Sequence, residues 1–329
     1  AGGGRLLKQW LNTPITDKKR LNKRLDIVGA FVENTRIRED MRDRLKNVSD
    51  IERIVGRVNN GKVTPKEING LRLSLEQIPE IIGALKKTGD THLKAFTKRF
   101  GNTDKIKDKI TQTLDLDAPS QIKQGNVILS GVDTELDELR KLRSGGKEWI
   151  AELQSSERER TGIPSLKIGY NRVFGFYLEI TKTHGDKVPE SYIRKQTLVN
   201  SERYITPELK EYEEKILSAE EKIEAIESKL FYDLCREILS EAAMIQGNAS
   251  VLSRLDVLAN FGQIAKANKY VRPILDPKSV LKIKGGRHPV VEQLLPATER
   301  FIPNDLTMDT TKNQIHLITG PNMAGKSTY

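Results

Sequence analysis

The chain holds 329 residues with a net charge of +10, 37% of them hydrophobic and 30% charged. That length can bury a large core and implies two or three domains, while the low apolar and high charged content favours long, thin helices over one compact globule. No apolar run approaches the roughly 20 residues that span a bilayer. No secretory leader is visible, and the single cysteine, Cys235, excludes an internal disulfide and points to an intracellular setting.

The basic balance permits a polyanionic partner such as nucleic acid, or an acidic membrane surface, without requiring either. The chain opens on Ala1-Gly2-Gly3-Gly4 and stops at Tyr329 inside a motif, so a piece of a longer protein is expected.

Residues 5–115 read as helices. Leu6, Leu7, Trp10 and Leu11 mark a short amphipathic piece that Pro14 stops, and Thr16 or Asp17 can cap the next helix, expected over 17–46 with Leu21, Leu25, Val28, Phe31 and Val32 on its apolar side. Phe31-Val32-Glu33 matches a Phe-x-Glu triplet able elsewhere to wedge a ring into a base stack, but Phe31 lies in the apolar stripe and reads as core. Ile51, Ile54, Val55 and Val58 give a further helix. Thr64-Pro65-Lys66-Glu67 is a helix start with the hydroxyl cap, the first-position proline and the returning glutamate in place. That helix is expected to run to about residue 85, with a bend at Pro79.

Residues 122–128 are short and β-prone. Asp133 then caps a helix expected over 134–161, where Gly145-Gly146 predicts a bend because two glycines loosen a helix by up to about 2 kcal/mol relative to alanines. Downstream, a helix is expected over 207–243. Leu209, Tyr212, Ile216, Ala219, Ile223, Ile226 and Leu230 alternate steps of three and four, the seam of a helix packed lengthwise on another. The intervening Glu and Lys residues suit a solvated face. Leu139, Leu142, Gly146, Trp149 and Leu153 keep the same rhythm and supply the partner. Two antiparallel helices would then hold residues 162–203 at their tip; the plainer reading is two helices of an ordinary bundle.

Within that tip the period changes. Leu166, Ile168 and Tyr170 alternate with Lys167 and Gly169, and residues 173–181 are rich in Val, Phe, Tyr and Ile, which is strand–turn–strand chemistry. Its polar set comprises Lys167, Asn171, Arg172, Lys182, His184, Lys187, Arg194, Lys195, Asn200 and Arg203. Such residues suit phosphate contacts on a duplex, and they equally suit a solvated hairpin. No Cys/His cluster has metal-ligand spacing, so no zinc site is expected. After a helix over 250–267, Pro and Gly increase past Arg272-Pro273, Val280–Ile283 and Ile315–Ile318 read as strands, and a domain boundary falls near residue 270.

Gly320-Pro321-Asn322-Met323-Ala324-Gly325-Lys326-Ser327 fits the phosphate-loop pattern G-x-x-x-x-G-K-S and follows the expected strand over 314–319. Its glycines let backbone amides turn in on phosphate oxygens. Lys326 would reach the β and γ phosphates of ATP, Ser327 would ligate Mg²⁺, and Thr328 would open the following helix. Hydrolysis also needs an acidic group on a later strand and a group that places water, neither of which follows, so no catalytic set is complete. This chain alone is expected to bind nucleotide poorly and to hydrolyse none.

Three segments carry a resemblance: 320–329 with its Pro-Asn-Met insert, Gly-Arg-His-Pro-Val-Val-Glu at 286–292, and Thr-Leu-Val-Asn-Ser-Glu-Arg-Tyr-Ile-Thr-Pro-Glu-Leu-Lys at 197–210. Residues 3–7, 135–140 and 50–54 add to it, and together they cover nearly the whole chain in order. The chain resembles the MutS family of DNA mismatch-recognition ATPases. The resemblance implies a mainly α fold with a small β clamp and long antiparallel lever helices, then the truncated start of an α/β P-loop ATPase domain of the ABC type. Its divisions would be a helical core at 1–133, a descending lever at 134–164, the clamp at 165–203, an ascending lever and return to core at 204–270, and the ATPase segment at 271–329. By likeness the clamp would grip duplex DNA without sequence preference, the levers would couple it to ATP and Mg²⁺, and the full-length protein would be a homodimer with a MutL-like partner. A bacterial, cytoplasmic and nucleoid-associated home is implied. The mismatch-reading and connector domains of the family precede this region, so mismatch specificity would lie elsewhere. The other readings are a recombination paralogue of the same family, a non-enzymatic helical scaffold whose basic tip binds a protein, and a small P-loop kinase. About 270 residues of mostly helical pattern before the loop disfavour the kinase.

Overall fold

A computed structural model describes all residues except 1, 172–174, 297, 322–324 and 327. The chain divides into two compact units, Ala1–Ile15 with Asp26–Lys269, and Thr16–Leu25 with Tyr270–Tyr329. Most of it is helical, with a small antiparallel sheet.

In chain order the first helices are α1 (Gly2–Asn12), α2 (Lys18–Glu33), α3 (Thr35–Lys46), α4 (Ile51–Asn59), α5 (Pro65–Lys87), the single turn α6 (Thr91–Lys94) and α7 (Asp104–Thr113). The one helix expected over 17–46 is therefore two. Asn34 leaves the helical conformation, and the buried Arg38 guanidinium donates to the carbonyl oxygens of Phe31 (2.6 Å) and Val32 (3.1 Å). Those carbonyls would otherwise be orphaned at the end of α2. Thr64 forms the expected capping box: its hydroxyl accepts from the Glu67 N–H at 3.2 Å, and the Glu67 carboxylate accepts from the Thr64 N–H at 2.9 Å. The helix then continues through Pro79 to Lys87.

The centre of the first unit is α11 (Ala242–Ala267), apolar on most sides because α1, α3 and α4 pack around it. Leu252, Leu255, Leu258 and Ala259 are buried there, as is Phe31, which is core and not a free wedge. Gly262 admits Phe31: a Cβ on it would lie 2.6 Å from the Phe31 Cβ.

Two arms leave this core. One is α8 (Thr134–Ser144) followed by α9 (Gly146–Thr161), with the break at Gly145 where a bend was expected. The other is α10 (Pro207–Ser240), 34 residues without interruption, or about 51 Å at 1.5 Å per residue. Arg140 meets Glu227, while Gly146 and Trp149 meet Tyr212, so α8 and the start of α9 run antiparallel to α10. Leu209, Tyr212, Ala219 and Ile223 of the seam are buried, and Leu139 and Ile223 belong to one core. Leu142, expected in the seam, is exposed, and Leu153 joins a different cluster.

The sheet lies between the arms in sequence: β1 (Lys167–Asn171), β2 (Gly175–Thr181), β3 (Ile193–Thr197) and β4 (Ser201–Ile205), all antiparallel in the order β1-β2-β4-β3. In the second unit, β5 (Val280–Gly286) pairs antiparallel with β6 (Asn304–Asp309), with the short α12 (Val291–Leu294) between them. The strand expected over 314–319 is absent. No described strand pairs with these residues, and Ile315 and Leu317 are exposed; a strand exists only through its ladder bonds.

Candidate nucleic-acid interface and phosphate-loop segment

The sheet is fixed by a second small core. Ile163, Leu166, Leu178, Ile180, Tyr192, Tyr204 and Leu209 are buried together, with Trp149, Leu153, Ile168, Phe176 and Val188 against them. Residues directly opposite across antiparallel strands share a face. Ile168–Leu178 and Leu178–Tyr204 are such pairs, so one face of the sheet packs on α9 and the first turns of α10. Polar bonds add to the attachment. The Arg158 Nε donates to the Leu166 carbonyl at 2.6 Å, and the Ile168 N–H donates to the Gln154 side chain at 2.8 Å. The Tyr192 hydroxyl donates to Glu157, which also pairs with Arg160 at 2.7 Å. The Arg160 bond foremost holds the Glu157 carboxyl below its usual range. Trp149 and Tyr212 stack with ring centres 3.5 Å apart where the arms converge.

The opposite face carries the row Lys167, Glu179, Arg203 and Gln196, each beside the next. Arg203 is held within the row. It bonds Glu179 at 2.9 Å and Gln196 at 3.0 Å, and lies over the Tyr177 ring at 4.3 Å. Tyr177 reaches that position because Gly169 beside it has no side chain; a Cβ there would lie 2.8 Å from the ring. Arg194 is exposed but pairs with Glu202 at 3.1 Å. The Tyr204 hydroxyl, more than Arg194, keeps the Glu202 carboxyl below its usual range.

Lys167, Lys182, Lys187 and Lys195 are exposed, and none forms an ion pair among the described residues. Lys195 sits at the bulge of the edge strand β3. The Lys182 N–H donates to the Asn200 carbonyl at 3.2 Å, bringing the segment after β2 against the β3–β4 turn, where Val199 is 87% exposed. His184 is half-buried in the 3₁₀ turn Lys182–Lys187. Asn171 ends β1, and Arg172 lies outside the described residues. Of the polar set, then, the sheet gathers four unpaired lysines, while Arg194 and Arg203 are committed to carboxylates. For Arg203 the signal was Glu179 directly across the ladder, legible only once the register was known; Arg194 lies opposite Tyr204 and reaches Glu202 diagonally.

In the second unit, His288 Nδ1 accepts from the N–H groups of Val290 (3.3 Å) and Val291 (3.2 Å), and Arg287 pairs with Glu292 at 3.0 Å. Of the phosphate-loop motif, Gly320, Pro321, Gly325, Lys326 and Thr328 are described; Asn322, Met323, Ala324 and Ser327 lie outside the described residues. Gly325 holds φ +80°, open to glycine and strained for other residues. Its carbonyl accepts from the Thr328 N–H at 2.9 Å. Gly320, Gly325, Lys326 and Thr328 line a cavity of about 440 Å³ with Arg300, Phe301, Asn304 and Tyr329. That is within the size range of small-molecule sites.

A helical body whose paired arms carry a small basic sheet defines a recognisable domain type. Residues 1–262 match the family model described as MutS domain III. The chain belongs to the MutS family. It is similar to the DNA mismatch repair protein MutS of Salinibacter ruber, 46% identical over 325 residues, covering 99% of this chain and 36% of that protein. The Bacteroides fragilis protein of the same name is 46% identical over 325 residues, with 99% and 38% covered, and that of Clostridium tetani 46% over 334 residues, with 100% and 37% covered. The chain thus spans a little over a third of the length of the relatives it matches.

Proposed function

We propose that this chain supplies the duplex-gripping and nucleotide-sensing part of a DNA mismatch repair ATPase. The observation that carries the reading is the arm-borne sheet. One face is locked to both arms, and Lys167, Lys182, Lys187 and Lys195 remain uncommitted. Lysines on a rigid support take phosphate oxygens as point charges and read no sequence. Asn171, Arg172 and Arg194 complete the contact set, Arg194 by exchanging Glu202 for phosphate. Residues 165–203 are thus the clamp, and α8, α9 and α10 the levers.

At the other site, Gly320 to Thr328 form the nucleotide loop of an ABC-type ATPase domain that begins near residue 271. The positive φ of Gly325 and the adjoining cavity support this reading. Lys326 would hold the β and γ phosphates and Ser327 would ligate Mg²⁺. When bound, that metal ion would supply charge neutralisation at the transferred phosphoryl group. The longer protein works as a homodimer with a MutL-like partner, in the bacterial cytoplasm at the nucleoid.

Duplex binding by K182Q/K187Q/K195Q against the parent chain tests the reading. A slope of log K on log salt shallower by about 2 to 3 is expected, with little dependence on duplex sequence. An unchanged slope removes the clamp assignment and favours the scaffold reading, in which the tip binds a protein. ATP turnover by this chain alone would overturn the incomplete-site reading.

A further inference from the structure

The first turns of α2 carry a charge pattern that works against their own helix. Residues 18–24 include Lys18, Lys19, Arg20, Lys23 and Arg24. At 3.6 residues per turn, Lys19, Arg20, Lys23 and Arg24 share one face about 140° wide, with Leu21 and Leu25 opposite. Lys18, Lys19, Arg20 and Lys23 are exposed and form no ion pair among the described residues. The Asp17 carboxylate accepts instead from the Arg20 backbone N–H, at 2.9 Å.

Two features of this pattern oppose helix stability. Lys19 with Lys23, and Arg20 with Arg24, are like-charged pairs four residues apart, which weaken a helix. Cations in the first turn face the positive end of the helix dipole. The Asp17 carboxylate at the Arg20 N–H offsets one of these charges, while Lys18, Lys19, Arg20 and Lys23 outnumber it. A face kept only for solubility mixes the two signs. A polyanion would reverse both effects, because it screens the like pairs and meets the positive helix end.

We propose that this basic face is a second docking surface for the phosphate backbone of duplex DNA, separate from the arm-borne sheet. A bilayer surface fits worse, since an interfacial helix turns its apolar face outward, whereas Leu21 and Leu25 are half-buried in the protein. An acidic protein also fits worse. Protein interfaces centre on aromatic or apolar anchors, and this face offers only Lys and Arg, which phosphate contact requires and nothing more.

The experiment is K18Q/K19Q/R20Q/K23Q in the 329-residue chain, with fluorescence anisotropy on a duplex of about 30 base pairs from about 50 to about 300 mM salt. The slope of log K on log salt should become shallower by about 2 to 3, and affinity at the lowest salt should fall at least about tenfold. Tm should not drop, because like-charge repulsion is removed; a loss of binding at undiminished Tm therefore reports contact. K182Q/K187Q/K195Q is the second arm, read on the same duplex over the same salt range. Parental affinity and slope in the α2 variant overturn the proposal whatever the sheet variant does. Unchanged duplex binding with lost affinity for polyglutamate overturns it in favour of an acidic protein. Loss in the α2 variant with none in the sheet variant supports this surface and fails the clamp reading.

Discussion

Glu227 is fully buried on α10, beside Arg140 of α8 and the backbone of residues 127–128. Its carboxylate takes the Arg140 guanidinium and the Val127 N–H, the latter at 3.2 Å, while Arg140 also donates to the Ile128 carbonyl at 2.8 Å. Glu227→Ala leaves that guanidinium, 14% exposed, with Asp137 at 3.8 Å as its one remaining carboxylate among the described residues. Breaking a buried pair costs about 3–5 kcal/mol. Asp137 and the residual exposure place this case near the lower end, while the stranded Val127 N–H adds about 1 kcal/mol, for a total of about 4 kcal/mol. Replacing both partners by leucine removes the stranded charge, so R140L/E227L should fall within about 2 kcal/mol of the parent despite two changes. Urea denaturation followed by far-UV circular dichroism reads both, fitted to the helical transition alone because the chain has two units. A loss under about 1 kcal/mol for Glu227→Ala, or a double variant as poor as the single, refutes the argument that the pair is a buried, mutually dependent joint.

Three further outcomes follow from the packing and the charges. Gly262→Ala puts a methyl into Phe31 and should cost about 1–3 kcal/mol by overpacking, read from the same urea transition. The Arg5 guanidinium, foremost, holds the Asp50 carboxyl below its usual range. Its stabilising effect is complete above the unfolded carboxylate value near about 4 and is lost as pH falls through the lower folded value. Asp50→Asn keeps a helix cap but not the charge; it should cost about 0.5–1 kcal/mol at neutral pH, and the gap from the parent should close on acidification. Burial pushes the Cys235 thiol up to about 11, so this thiol opposes folding only as pH rises above its unfolded value of about 8.5. At pH about 8 an aromatic disulfide reagent should modify it no faster than the chain opens, and rapid labelling of the native protein would contradict its burial.

Local rules carried much of the fold. The Thr64 box, the stop before Thr16 and the seam through Leu209, Tyr212, Ala219 and Ile223 depend on neighbours within a few residues, and each is present in the fold. What escaped depends on distant partners. Glu227 belonged to a run of Glu and Lys that reads as solvated, and only the approach of Arg140 makes its burial tolerable. Arg203 counted as a phosphate contact until β2 and β4 came into register and set Glu179 and Tyr177 around it. The break at Asn34 rests on Arg38 reaching back to α2, which no hydrophobic period encodes. Residues 314–319 are apolar enough for a strand, but pairing is a property of two segments and not of one.

The arms differ in a way that constrains motion. α10 is one unbroken rod, while its companion is jointed at Gly145. Tilting the head requires the segmented strut to slip lengthwise past the continuous one. The Gly146 backbone against Tyr212 and Ile216, with no Cβ to catch, is where such slippage meets least resistance. Over the 16 residues of α9, about 24 Å, a tilt of about 10° at that joint carries the far end about 4 Å sideways.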